Sequence, residues 1–189
     1  MNPVFARPNA SRFSRRAHQA QRGFTLTEAL VCVATLLVAL GTSLPDFRST
    51  LERRHVEGAA AQLATDLQLA RGLAVAQNRT LRFEIAQSEQ GTCYMVHSGS
   101  AGACSCAPQG TVCQPGVEAH RSVHYAADSG VTIAANVRSL VFEPTRGTVT
   151  PTGTLRVEGA RVSVRQVINI MGRVRSCSPD AAVPGYKAC

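Results

Sequence analysis

The sequence predicts an α+β fold in which a long N-terminal helix, first apolar and then amphipathic, packs on an antiparallel β-sheet domain. Three observations predict it. The stretch from Phe24 to Leu44, FTLTEALVCVATLLVALGTSL, contains no Lys or Arg. After Pro45, apolar residues recur three or four apart as far as Ala74. Beyond residue 80 the apolar period changes from 3.6 to 2. The composition agrees with one folded domain: 189 residues, 44% hydrophobic and 17% charged, are enough for one modest core and too apolar for a disordered chain.

The first 23 residues hold Arg7, Arg12, Arg15, Arg16 and Arg22 and no acid, so removing these five from the formal +8 leaves +3 for residues 24 to 189. A basic run directly before an apolar stretch marks a targeting segment that stays cytoplasmic, and most of the positive charge is thus a topology signal. As a helix, Phe24 to Leu44 spans roughly 30 Å at about 1.5 Å per residue, one bilayer core. Its single charge, Glu28, is costly in hydrocarbon unless paired, so a charge kept there implies a partner. Three readings fit such a segment. A secretory signal is cut near Ala39-Leu40-Gly41, a plain anchor is not cut, and a third kind of segment is cut on its cytoplasmic side.

The heptapeptide Arg22 to Glu28, RGFTLTE, resembles the prepilin signature of type IV pilins and type II secretion pseudopilins. The resemblance implies that prepilin peptidase cuts between Gly23 and Phe24, leaving an N-methylated Phe24 first, Glu28 fifth and Pro45 twenty-second. It also implies that Glu28 pairs with the terminal amine of a neighbouring subunit, neutralising two buried charges and registering helices in a filament.

Pro45 kinks a helix without ending it when neighbours re-satisfy the backbone. The pattern then resumes, with Val56, Ala60, Leu63, Leu67, Ala70 and Ala74 forming one stripe and Arg53, Glu57, Asp66 and Arg71 on the opposite face. A helix over about 46–77 is expected, ended by Asn78 to Thr80. This wording, ERRHVEGAAAQLATDLQLARGLAVAQNRTLRFEI, is similar to the FimT/GspH branch of minor pilins and pseudopilins, in which the helix leads into the first strand. The expected layout is a cleaved leader over 1–23, a transmembrane and assembly helix over 24–45, and a periplasmic pilin-like globular domain over 46–189. The chain is then a single-pass inner-membrane protein assembled into a pilus or pseudopilus.

Leu81, Phe83 and Ile85 alternate with Arg82 and Glu84, and short apolar runs follow at 92–97, 121–126, 131–135, 139–143, 153–158 and 161–171. All are read as antiparallel strands. Cys32 lies in the apolar helix, while Cys93, Cys104, Cys106, Cys113, Cys177 and Cys189 form an even set suited to an oxidising periplasm. Bonding Cys177 to Cys189 closes the Pro-containing tail in a short loop worth roughly 3 kcal/mol in the chain-entropy model. A bond between Cys104 and Cys106 is geometrically poor, which leaves 93–104 with 106–113, or 93–106 with 104–113. Zinc on this cluster, with His97, His120 and His124, is the rival reading, but the spacing lacks the C-x2-C knuckle. No metal and no cofactor are expected.

No G-x-S-x-G, H-E-x-x-H or phosphate-binding glycine loop occurs, so an enzyme is not expected. With no Trp and only three Tyr, nucleic-acid binding would lean on arginine. Between residues 156 and 175 stand Arg156, Arg161, Arg165, Arg173 and Arg175 against Glu158 alone, a local excess of four positive charges. Val162, Val164, Ile168 and Ile170 are expected to face inward along one final strand, with Arg161 and Arg165 outward. Gly172-Arg173-Val174-Arg175 sets two guanidinia two residues apart, able to grip successive phosphates. This G-R-x-R resembles the C-terminal motif associated with DNA binding in FimT-type minor pilins of natural transformation systems. The resemblance implicates Gly172, Arg173 and Arg175, and strand alternation adds Arg161 and Arg165. The expected function is a minor pilin that binds DNA without sequence preference during uptake, alongside other pilins. A structural pseudopilin of type II secretion, or a pilus-priming subunit, is the alternative.

Overall fold

The computed structural model describes residues 23–179 and 183–189, without the side chains of 42–46 and 48. The expected leader up to residue 22 lies outside the described residues. The chain divides into two compact units after Ser43, and helix α1, Leu26–Ala76, contributes to both.

In the first unit the helix begins at an N-cap, Thr25. Thr25 Oγ1 accepts the Glu28 N–H at 3.3 Å, and the Glu28 carboxylate sits in the first turn, where the helix dipole favours a negative charge. Leu26, Leu30, Val33, Leu37 and Leu40 are all exposed. Among the described residues no helix is long and apolar enough to cross a membrane. The described side chains of the expected span stop at Gly41, and its remainder, 42–45, lies outside them.

In the second unit the stripe of Val56, Ala60, Leu63, Leu67, Ala70 and Ala74 is completely buried. Asn78, in the left-handed region at φ 48°, stops the helix. Its N–H reaches the Val75 carbonyl at 3.2 Å and the Arg79 N–H reaches that of Ala74 at 3.1 Å, the two bonds of a Schellman cap. The chain then enters β1, Leu81–Ser88, followed by β2, Gly91–His97, β3, Cys104–Ala107, β4, Gly110–Cys113, β5, Ala119–Ala126, and β6, Thr132–Ala135. The remaining strands are β7, Ser139–Phe142, β8, Val149–Thr150, β9, Gly153–Glu158, β10, Ser163–Ile168, β11, Val174–Ser178, and β12, Lys187–Ala188. One sheet has the order β5-β2-β1-β7-β8 and a second the order β12-β11-β10-β9-β6, with β3-β4 a separate hairpin. Both large sheets and the helix stripe contribute to one core cluster, which includes Phe83, Tyr94, Phe142, Leu155 and Val164.

Three expectations are corrected. The run 161–171 is not one strand continuing to Arg175. It is β10 and β11 joined by a turn over Asn169–Gly172, which leaves Ile170 60% exposed. The domain is not wholly antiparallel, since β12 pairs parallel to β11 with Cys177 opposite Lys187. Asp66, expected on the solvent face, is only 4% exposed.

Of the two cysteine pairings left open, the structure has Cys93 bonded to Cys106 and Cys104 to Cys113, with Cys177 bonded to Cys189. Register explains it: Cys104 stands opposite Cys113 across the β3-β4 hairpin, so Cys106 is left to reach β2. With Met95 these cysteines make a small core of their own under the hairpin. Their thiols are consumed and cannot serve as thiolates for zinc. His97 is fully buried; its Nδ1 accepts the Gly99 N–H at 3.1 Å and its Nε2 lies 3.1 Å from Glu84 Oε2.

Buried Asp66 is satisfied by two donors from the first sheet, Tyr94 Oη at 2.6 Å and Arg121 Nε at 3.0 Å. Gln166, also fully buried, does the same for the second sheet: its amide donates to the Ala60 carbonyl at 3.0 Å and its Oε1 accepts from Ser176 Oγ at 2.6 Å. Burial, and then the hydrogen bond to Asp66, push the Tyr94 phenol well above the ordinary tyrosine value. A group whose folded pKa is raised contributes stability that is intact below its unfolded pKa, about 10, and is lost as pH climbs beyond it. Urea midpoints are therefore expected to fall above about pH 10. Tyr94→Phe, which removes one donor from a buried carboxylate, is expected to cost about 1–3 kcal/mol at neutral pH and to make the alkaline decline shallower. An equally steep decline in the variant would exclude Tyr94 as its source.

Candidate nucleic-acid interface

The turn between β10 and β11 is built around Asn169. The Gly172 N–H closes it on the Asn169 carbonyl at 2.9 Å. Asn169 then holds Arg173 twice, its Oδ1 accepting the Arg173 N–H at 2.9 Å and its own N–H donating to the Arg173 carbonyl at 3.2 Å. The backbone that carries the first guanidinium of the G-R-x-R segment is therefore fixed.

Gly172 has φ 70° and is buried. A Cβ there would lie 2.6 Å from the Gly147 carbonyl oxygen and 2.8 Å from Arg71 Cδ and Nε. Glycine is required by this close approach to the helix and to the β7-β8 loop. Arg71 is half-buried in the crossing, and its Nε donates to the Gly147 carbonyl at 3.0 Å.

The crossing leaves an open groove of about 760 Å³, lined by Gln68, Arg71 and Gly72 from α1, Thr145 and Arg146 from the β7-β8 loop, and Gly172, Arg173 and Val174 from the turn and β11. Among the described residues Arg71, Arg146 and Arg173 line it and no Asp or Glu does. Three guanidinia with no carboxylate among the lining residues form a cationic trough suited to a phosphate backbone.

The sequence-predicted arginines are not all gathered here. Arg173 lines the groove, whereas Arg175 lines a different concavity, of about 530 Å³, with Val167, Ser176 and Lys187. Val174 between them packs against the core. Arg165 lies on the outer face of the second sheet, directly opposite Arg156. Arg161 is exposed before β10, its N–H bonded to Glu52 Oε1 at 2.7 Å. That places it at the opposite end of β10 from Arg173, roughly 25 Å away at about 3.3 Å per residue. Arg71 and Arg146 were missed. Arg71 reads as a solvated helix position, and the Thr145-Arg146-Gly147 turn signal is local, so neither sequence feature tells which loops the fold brings together.

The remaining candidates lie in the first unit or the tail. Gly23, Phe24 and Glu28 are exposed at the start of α1. Cys189 closes the tail against β11, with its N–H on the Ser178 carbonyl at 3.2 Å.

Residues 59–172, more than half of the chain, match the family model of the type II transport protein GspH. No curated protein matches the sequence. Among solved structures, the type IV minor pilin FimU of Pseudomonas aeruginosa is similar at 22% identity and a TM-score of 0.51, over 71% of this chain and 96% of FimU. The minor pseudopilin EpsH of the type 2 secretion system of Vibrio cholerae is similar at 14% identity and a TM-score of 0.47, over 66% of this chain and 98% of EpsH. The likeness to FimU identifies the α+β arrangement as type IV pilin-like. By the extent of the family match, this chain belongs to the GspH family, the minor pilins and pseudopilins of type IV pili and type II secretion systems.

Proposed function

We propose that this chain is a minor pilin of a type IV pilus that binds extracellular DNA for uptake in natural transformation. The observation that carries the reading is the groove in which Arg71, Arg146 and Arg173 converge without a carboxylate. Arg173 and Arg146 are exposed and free to reach successive phosphates, and Arg71 adds charge from the floor. Arg175 acts from the neighbouring concavity. The lining offers no aromatic ring for stacking on bases, so binding is through phosphates, independent of sequence and weakened by salt. Several heads on one filament would raise the avidity.

In this reading prepilin peptidase cuts between Gly23 and Phe24, and the exposed apolar residues from Leu26 to Leu40 first anchor the chain in the inner membrane and then pack against other pilins. The globular unit lies in the periplasm until assembly. A structural role in a type II secretion pseudopilus is the second reading, and the description of the matching family model as a transport protein favours it. There the arginines would meet neighbouring subunits.

Replacing Arg173 and Arg175 together by Gln is expected to leave the fold intact and abolish the gel shift of duplex DNA by residues 46–189. Arg146→Gln is expected to lower the slope of log affinity against log salt by about one. Unchanged binding in both variants would sink the DNA reading. Gly172→Ala acts differently: strain at positive φ and the 2.6 Å approach to Gly147 are expected to cost about 1–3 kcal/mol in thermal melting. Sequencing of the mature chain is expected to start at Phe24; a start at Met1 or Thr42 would remove the filament helix from the account.

A further inference from the structure

On the outer face of the second sheet, Arg156 of β9 and Arg165 of β10 are direct register partners in an antiparallel pair. Like charges so placed repel, and nothing about packing on an outward face requires them. Arg156 is compensated by Glu158, whose Oε1 lies 3.2 Å from a terminal guanidinium nitrogen. Arg165 is not: its Nε is buried and has no hydrogen-bond partner among the described residues. A buried charged donor without an acceptor is costly, and the like charge beside it adds to the cost, so the pair favours an anion that comes from outside the chain.

The space for it is present. Arg156 and Arg165 line a concavity of about 220 Å³ with Ala134, Ala135, Asn136 and Thr154. Ala134, the β6 neighbour of Arg156, is small enough to leave the hollow open. Asn136 Oδ1 is already occupied by the Thr154 N–H at 2.7 Å, so the side chain has its amide NH2 left to offer, a donor. The lining thus presents donors and two arginines, and Glu158, outside the lining but bonded to Arg156, brings the local charge to one positive. That matches an oxyanion with a single negative charge.

We infer that Arg156 and Arg165 hold one phosphodiester of a nucleic-acid strand in this pocket, an anchoring point separate from the groove at Arg173. Arg165 grips it with its terminal nitrogens, and Arg156 adds a nitrogen that Glu158 does not use. The origin of the phosphodiester rests on the DNA reading above; the pocket itself does not.

The test uses the full chain in detergent, labelled with ¹⁵N, and follows the arginine Nε–H resonances, with that of Arg165 assigned by its loss in Arg165→Gln. Dimethyl phosphate is expected to shift this resonance saturably, several-fold more weakly in Arg156→Gln, and acetate is expected to shift it more weakly than dimethyl phosphate does. In DNA binding, Arg165→Gln is expected to lower the log–log salt slope by about one while melting no lower than the wild type, because a like-charge pair is relieved. No saturable shift with dimethyl phosphate would overturn the pocket. An equal or tighter response to acetate would assign it to a carboxylate of a neighbouring subunit instead. If the wild type binds DNA and Arg165→Gln leaves the slope unchanged, the second anchor is overturned while the DNA reading stands. If the wild type binds no DNA, that reading falls, and the strand with it, while the dimethyl phosphate titration still decides whether the pocket exists.

Discussion

Both sheets of the globular unit are built against one surface, the stripe from Val56 to Ala74 on α1, and the rest of the structure depends on its burial. Val56, Leu63 and Leu67 contribute about 1.5–3 kcal/mol each by leaving water, while Ala60, Ala70 and Ala74 let the sheets approach the helix backbone. A purely apolar stripe would leave the orientation of the sheets loosely specified. Two buried polar residues fix it: Asp66 ties α1 to the first sheet through Tyr94 and Arg121, and Gln166 ties the second sheet to the Ala60 carbonyl. Hydrogen bonds are directional where dispersion is not, so the register of helix on sheet follows from these two contacts.

The arginine groove inherits that register. Arg71 belongs to the same helix, one residue beyond Ala70, and its Nε is committed to the β7-β8 loop. The helix, that loop and the β10-β11 turn meet where Gly147 and Gly172 permit contact closer than any side chain allows. The cationic trough is therefore a by-product of how two sheets close on one helix, and the charge of Arg71 serves packing and electrostatics together. Arg173, by contrast, is held among the described residues through its backbone by Asn169.

Much of this was legible in the sequence. Every residue of the predicted stripe is buried, and the apolar runs at 92–97, 121–126, 131–135, 139–143 and 153–158 fall on strands, because period is a local property that one-sided burial imposes directly. The β10-β11 turn was missed because Val167 to Met171 reads as continuously apolar around Asn169, and the reversal depends on Asn169 and Gly172 bonding to each other. Asp66 was misplaced because its partners lie 28 and 55 residues away, beyond any periodicity. The same limit hid Arg71 and Arg146 and grouped Arg161, Arg165, Arg173 and Arg175, neighbours in sequence that the fold distributes over separate surfaces.

The tail protects part of a sheet edge. Strand β11 would end the second sheet with a row of unpaired amides and carbonyls, an open template for any extended segment that drifts by. The parallel rung of Lys187 and Ala188, bolted on by Cys189, occupies the end of that row, at Cys177 and Ser178. Crowded copies of the domain are thereby left a shorter edge for sheet-to-sheet fusion.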